Sequence, residues 1–275
     1  MKKNWLIVLF IVMGLSIFSY PFIANYVSTT GYVERVKGYE EKMSQLSDKQ
    51  KEEQEKIAKE HNDKIKEEEL TYVDPFSNGT EEGGAKSYYN ALNIGDVMAV
   101  IDIPKLKLSL PIYHGSGDNV LSQGVGHLEN SALPIGEKGT HSVLTAHRGL
   151  PSAKLFRYLD DLVEGDVFYI TVLDEVHAYE VFDTKVVLPD ETEWLIQDKE
   201  KEVVTLLTCD PYMLNTHRLL VFGQRVPYEV ENSDIARSTN RQSVTFLMIA
   251  LALVVVLLLL LYVWYRHSSK KRRRR

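Results

Sequence analysis

A buried β-strand that ends at a cysteine is indicated by the run Val203-Val204-Thr205-Leu206-Leu207-Thr208-Cys209, which is followed by Asp210-Pro211. β-Branched and leucine side chains are typical of buried strands, and Asp-Pro is typical of the turn that ends one. A second strand begins at Thr216-His217-Arg218. Such a pair of strands can bring the Cys209 thiol and the Arg218 guanidinium to the same end of a sheet.

Cys209 is the only cysteine in the 275 residues, so no internal disulfide stabilises the chain and the fold depends on its own core. A lone cysteine is often a buried, inert core residue. A position at a strand end, beside a proline and near an arginine, favours a nucleophile instead. The best candidate for its base is His147, which ends another strand-like run beginning at His141.

Seven apolar segments from residue 97 onward predict strands, and one short segment predicts a helix. The strands are 97–103, 106–113, 141–147, 167–173, 176–188, 203–209 and 217–226, and the helical segment is 155–162. This pattern indicates a mainly β protein. The spacing alone is compatible with either a barrel or a sandwich.

Two apolar segments predict membrane helices at the ends of the chain. Residues 1–24 contain Lys2-Lys3 and an apolar run close to the roughly 20 residues that a span needs. This run is either a signal peptide or an uncleaved anchor, and the lack of a clear Ala-x-Ala site favours the anchor. Residues 244–265 carry no charge and predict a transmembrane helix, which the basic tail 266–275 follows.

The distribution of charge predicts the side of the membrane on which each part lies. Lysine and arginine concentrate on the cytoplasmic side of membrane proteins, so the basic tail and Lys2-Lys3 are expected inside the cell and the middle of the chain outside. The net charge is −6 and the two ends hold nine lysines and arginines, so the middle carries −15. An acidic domain argues against nucleic acid as a partner.

The segment 25–70 is rich in glutamate and lysine and predicts a helical extension with a narrow apolar stripe. We expect it to be a solvated spacer from the membrane, with a partner-binding coiled coil as the alternative. The segment 71–87 contains Asp74-Pro75-Phe76 and two adjacent glycines, and it is typical of a flexible loop.

Several separated motifs resemble the sortase family, specifically its class C branch, over residues 71 to 227. They are Thr205-Leu206-Leu207-Thr208-Cys209, Asn215-Thr216-His217-Arg218-Leu219-Leu220-Val221, Gly124-Val125-Gly126-His127-Leu128 and Thr145-Ala146-His147-Arg148-Gly149. The resemblance implies an eight-stranded β-barrel with short helices over 88–230, preceded by N-terminal helices, flanked by the two membrane segments and joined to the second by a linker at 231–243. It also implies that 71–87 is a lid, in which Phe76 covers the thiol and Asp74 pairs with the catalytic arginine.

The resemblance further implies a cysteine transpeptidase with Cys209 as nucleophile, His147 as proton carrier and Arg218 as the group that stabilises the oxyanion. Its substrate is a Leu-Pro-x-Thr-Gly (LPXTG) sorting signal, cut after threonine to give a thioester on Cys209, and its acceptor is a lysine amine of the next pilin subunit. A sortase that attaches proteins to cell-wall peptide amines, and a non-catalytic membrane adaptor that binds partners through the acidic helix, are the alternatives. No cofactor is expected, and no metal, because His141 and His147 lack a second cysteine or a carboxylate at ligand spacing.

Asp210 departs from the pattern of the family, in which threonine frequently follows the cysteine. A carboxylate beside a thiol opposes formation of the thiolate unless the carboxylate points away or pairs with a cation. This departure therefore concerns the rate and the substrate preference of the enzyme and leaves the reaction class unchanged.

Overall fold

The computed structural model of the protein describes residues 2–67, 74–76, 86–195 and 198–228. The described part contains four α-helices and eight β-strands. The helices are α1 (Lys2–Gln45), α2 (Asp48–Glu67), α3 (Lys86–Asn90) and α4 (Asp118–Leu121). The strands are β1 (Ala99–Ile103), β2 (Leu108–His114), β3 (Val125–His127), β4 (Thr140–Thr145), β5 (Val167–Val172), β6 (Glu175–Val187), β7 (Glu202–Asp210) and β8 (His217–Val226).

The eight strands form a closed barrel in the order β1-β2-β3-β4-β7-β8-β6-β5, which the pairing of β5 with β1 completes. Closure decides between the barrel and the sandwich, which the sequence left open. Most neighbours are antiparallel, whereas β2 with β3 and β4 with β7 are parallel. The core contains fully buried Ile101, Leu110, Leu144, Leu206 and Val221.

All seven predicted strands are present, with ends that differ by at most two residues. The additional strand is β3, whose three residues are too few for periodicity to reveal. A side chain at Gly126 in this strand would lie 2.4 Å from the carbonyl oxygen of Gly115. Glycine is therefore required where β3 passes the end of β2. The predicted helix at 155–162 is a short 3₁₀ turn, Leu159–Asp161, among other turns.

The charged extension is not a solvated spacer, so that expectation was wrong. Its sparse apolar stripe packs against the barrel through the buried side chains of Tyr32, Tyr39 and Met43 in α1 and of Ala58 in α2. The Tyr39 hydroxyl oxygen also accepts a hydrogen bond of 3.0 Å from the Leu173 backbone amide. These helices belong to the folded domain because their few apolar side chains complete its core.

The first part of α1 carries exposed apolar side chains, such as Phe18, which is 69% exposed. The described part of the chain contains one helix that is long and apolar enough to cross a membrane by length and composition, Leu9–Gln45 within α1. α1 continues without a break through residue 24, the predicted end of the anchor. The predicted linker 231–243, membrane helix 244–265 and tail 266–275 lie outside the described residues.

Candidate active site

The β7–β8 hairpin brings the predicted thiol and guanidinium together. Cys209 on β7 is paired with Arg218 on β8 in antiparallel register, one residue before β7 ends. Cross-strand partners have Cβ atoms about 4.5–5.5 Å apart, so the two side chains are direct neighbours. The pairing of an apolar strand with the strand that follows the turn therefore positions both groups.

The parallel pairing of β4 with β7 brings His147 to the same end of the barrel. Thr145 is aligned with Leu207, so two residues further along each chain His147 comes beside Cys209. The Thr208 hydroxyl donates a hydrogen bond of 2.7 Å to the Ala146 carbonyl oxygen, which continues the contact beyond the end of β4. The sequence had predicted that His147 ends this strand. In the structure β4 ends at Thr145, and His147 lies in the loop that follows.

The lid residue Asp74 pairs with Arg218. Its carboxylate accepts two hydrogen bonds, 2.7 Å from Nε and 2.6 Å from Nη2, and both side chains are buried. The remaining nitrogen, Nη1, donates to the carbonyl oxygens of Asn215 and His217 at 3.1 and 2.9 Å. Arg218 is therefore held in one orientation by the lid and by its own hairpin.

The Phe76 ring contacts both His147 and Arg218. Its ring centroid is 5.6 Å from that of His147, and the Arg218 guanidinium carbon lies 5.2 Å from the same ring centroid. A cation over an aromatic face is attracted by the ring. The five residues predicted for the site thus meet at one end of the barrel.

Burial raises the pKa of the Cys209 thiol to about 11. The Arg218 and Arg148 guanidinium groups lower this pKa, whereas the Asp74 carboxylate raises it. The thiol is only 5% exposed. With the lid closed, Cys209 is therefore a neutral thiol at pH 7.

The pKa of His147 is lowered by burial, and the charge of Asp118 on α4 only partly offsets this effect. The imidazole is therefore neutral at pH 7 as well. The closed site holds a neutral thiol and a neutral imidazole rather than an ion pair.

Asp210 has the cationic partner that the sequence left open. Arg148 Nη1 donates to the Asp210 carboxylate, and Arg148 Nη2 lies 2.7 Å from the Asp160 carboxylate. Arg148 lies in the Thr145-Ala146-His147-Arg148-Gly149 motif, from which no role was predicted for it. A usable signal was its position, since Arg148 follows His147 as Asp210 follows Cys209.

His127 and His141 make hydrogen bonds within the barrel, away from the thiol–imidazole pair. The ring of His127 is fully buried, with Nδ1 3.0 Å from the Tyr88 hydroxyl oxygen and Nε2 2.9 Å from the Ala132 carbonyl oxygen. His141 Nε2 lies 2.7 Å from the Thr205 hydroxyl oxygen. Among residues 2–67, 74–76, 86–195 and 198–228, no group of three or more His, Cys, Asp or Glu side chains is arranged to hold a metal ion.

The sequence is similar to known sortases. The sortase domain model matches residues 101–226. Sortase D of Bacillus subtilis (strain 168) is 31% identical over 152 residues, which are 54% of this chain and 73% of the relative. Sortase A of Listeria monocytogenes is 26% identical over 239 residues, which are 84% of this chain and 97% of the relative.

Solved structures of sortases C share this fold. Streptococcus pneumoniae sortase C matches with a TM-score of 0.67 and 38% identity, over 72% of this chain and 98% of that chain. Sortase C-1 of Actinomyces oris matches with a TM-score of 0.61 and 42% identity, over 65% of this chain and 99% of that chain. The chain therefore belongs to the sortase family of cysteine transpeptidases, and its likeness to these structures places it with the class C sortases.

Proposed function

We propose that this sortase cuts an LPXTG sorting signal after threonine, holds the product as a thioester on Cys209 and transfers it to a lysine amine of the next pilin subunit. The observation that carries the proposal is the contact of the Asp74-Pro75-Phe76 lid with both Arg218 and His147 at the thiol. The similar structure from Streptococcus pneumoniae was described with reference to pilin substrate specificity, which supports pilins as the donor class.

The proposed reaction proceeds through two acyl transfers. The Cys209 thiol gives its proton to His147 and attacks the threonine carbonyl carbon, after which the threonine–glycine C–N bond breaks and His147 protonates the leaving amine. The lysine amine then attacks the thioester, an isopeptide bond forms and the thiol is released. His147 accepts and returns one proton in each half of the cycle.

Arg218 has the role of stabilising charge. Its guanidinium stays protonated at all relevant pH values, so it cannot transfer protons. It can donate hydrogen bonds to the oxyanion that forms when the thiolate attacks, and removing one such donor typically costs about 3–4 kcal/mol of transition-state stabilisation. Because Asp74 occupies two of its nitrogens, the lid must leave before Arg218 binds a substrate.

The exposed apolar part of α1 supports a membrane-held enzyme. The barrel outside the cell and the C-terminal tail in the cytoplasm are part of the proposal, and the distribution of lysine and arginine in the sequence supports them. Donor, acceptor and enzyme would then share one plane. Transfer to a cell-wall peptide amine remains the second candidate because it uses the same thioester. The adaptor hypothesis loses its support, because the stripe proposed to bind partners packs on the barrel.

To test this proposal, the full chain is incubated with an LPXTG peptide in detergent micelles. Mass spectrometry then shows whether a thioester adduct forms on Cys209. We expect a thioester adduct in the Asp74→Ala variant, whose lid is released, and none in Cys209→Ala. Supplying a lysine-bearing pilin peptide and a cell-wall peptide amine in competition then identifies the acceptor. No adduct on an intact, lid-released thiol would overturn the proposal.

A further inference from the structure

We propose that Arg148 is a positioning residue that holds the loop after β4, residues 146–150 (the His147 loop), against the end of β7. Asp210 on β7 is the residue to which Arg148 binds for this purpose. This inference deepens the proposed function, because it concerns the geometry of the thiol and imidazole that the reaction uses. It rests on the contacts of one buried guanidinium with two segments of the chain.

The first set of contacts joins Arg148 to β7. Arg148 Nη1 donates to the Asp210 carboxylate and lies 3.5 Å from the Cys209 carbonyl oxygen. Arg148 directly follows His147, and Asp210 directly follows Cys209. The ion pair therefore connects the two backbone positions adjacent to the proposed base and nucleophile.

The second set of contacts joins Arg148 to the turns after the His147 loop. Its Nε donates to the Arg157 carbonyl oxygen at 3.3 Å, and its Nη2 lies 2.7 Å from the Asp160 carboxylate. The Phe156 backbone amide also donates to the His147 carbonyl oxygen at 3.2 Å. The His147 loop is thus held between β7 on one side and this segment on the other.

Charge and burial explain why arginine is required. Arg148 is 5% exposed, and a buried cation is tolerated only when it is paired and hydrogen-bonded. A guanidinium reaches several acceptors at once in a planar fork, which the point charge of lysine does not. Without Arg148, the Asp210 carboxylate would stand unpaired next to the thiol and oppose the thiolate.

A positioning role predicts a loss of turnover rather than of binding. Misplacing a reacting group by about 1 Å can cost about 100-fold in rate, so Arg148→Met should lower kcat by about 100-fold. KM for the LPXTG peptide should change little, because Arg148 is buried behind the thiol and its donors are occupied by protein. Arg148→Lys should recover part of kcat by supplying the charge without the fork.

The experiment is a double-mutant cycle with Arg148→Met, Asp210→Asn and the double variant, in the full chain in detergent. The first readout is the rate of Cys209 alkylation against pH, which requires no turnover. We expect the midpoint to rise in Arg148→Met, and to rise by clearly less when the same substitution is made in Asp210→Asn, because no unpaired carboxylate is then left on the residue after Cys209. Lys51→Met, at the distant Lys51–Asp174 ion pair, is the matched control and should leave the midpoint unchanged.

An equal rise of the midpoint on Arg148→Met in the parent and in the Asp210→Asn background, which is additivity, would overturn the proposal. Should Arg148→Met fail to fold, Asp210→Asn and Arg148→Lys retain the test, since both preserve most of the packing. The second readout is kcat and KM with the LPXTG peptide. If the parent enzyme forms no thioester, the proposed function fails, whereas the alkylation cycle still reports whether Arg148 and Asp210 are coupled.

Discussion

The Asp74 carboxylate accepts two hydrogen bonds from the Arg218 guanidinium, at 2.7 and 2.6 Å, although the two residues are 144 positions apart in the chain. Both side chains are buried, and charge-assisted pairs of this bidentate kind are among the stronger hydrogen bonds in proteins. The pair fastens the lid to β8 at the point where β8 faces the thiol. Opening the lid requires this pair to break.

Releasing the lid should make Cys209 more reactive. In Asp74→Ala, release of the 74–76 segment relieves the burial that chiefly raises the pKa of the thiol, and the carboxylate that also raises it is removed, whereas the Arg218 charge that lowers it remains. Alkylation uses the thiolate, so its rate rises as pH passes the thiol pKa. We expect the midpoint of alkylation against pH to fall below that of the parent, in which burial raises the pKa of the thiol to about 11.

The matched control for this prediction is Asp174→Ala, which removes an aspartate that pairs with Lys51 far from the thiol. Its alkylation profile should coincide with that of the parent. Equal labelling rates in Asp74→Ala and the parent would reduce the 74–76 segment to a tether.

Replacing Arg218 by lysine should abolish most of the transfer activity. Lysine retains the charge but cannot make the two parallel hydrogen bonds or keep its donors in one plane. We expect kcat/KM for the LPXTG peptide to fall by about 100- to 1,000-fold, the typical effect of losing an oxyanion donor. Arg225→Lys at the other end of β8 is the control. Near-normal turnover in Arg218→Lys would mean that the oxyanion is stabilised elsewhere.

Truncating the apolar stripe of α1 should destabilise the barrel. The Met43 side chain is fully buried in the core, so Met43→Ala should lower the free energy of unfolding by about 2–5 kcal/mol. Urea unfolding followed by circular dichroism measures this change. The exposed residue Val186 on β6 provides the comparison, since Val186→Ala should change stability by less than about 0.5 kcal/mol. Similar small effects at both positions would show that α1 is a spacer after all.

Acid should destabilise the fold through His177. This ring is 3% exposed and neither nitrogen has a hydrogen-bond partner within the described residues, although the Glu175 carboxylate lies 4.0 Å from Nε2. Burial and the Arg225 charge lower its pKa to about 4, against about 6.5 for a free histidine. The folded state therefore binds the proton less well than the unfolded state does. The resulting stability is present above about pH 6.5 and is lost as pH falls through about 4.

His177→Leu should reduce this loss, because leucine fills the site without a titratable group. The measurement is the urea midpoint across the range from about pH 7 to about pH 4. Val186→Ala, which changes an exposed residue of the same strand that carries no titratable group, should leave the slope of stability against pH unaltered. The same slope in the parent and in His177→Leu would assign the acid sensitivity to other groups.

Much of the site was accessible from local patterns. The apolar run before Cys209 predicted its strand, and the motif around His147 marked a loop at a strand end. The roles of Asp74 and Phe76 could not be predicted from local patterns, because the surrounding segment has the composition of a linker. Only the resemblance to the sortase family predicted them. Arg148 was missed although it follows His147 as Asp210 follows Cys209, because only the pairing of β4 with β7 brings these two positions together.

Local properties of the chain, namely strand periodicity, a lone thiol and an apolar first helix, were enough to predict a mainly β domain with its reactive group at a strand end. The tertiary structure determined the arrangement of the site residues and the protonation state of the thiol. The neighbourhood of Cys209 and His147 depends on the parallel alignment of β4 with β7, which pairs distant segments and leaves no local mark. The neutral state of the thiol depends on dehydration under the lid, and dehydration exists only once the chain has folded.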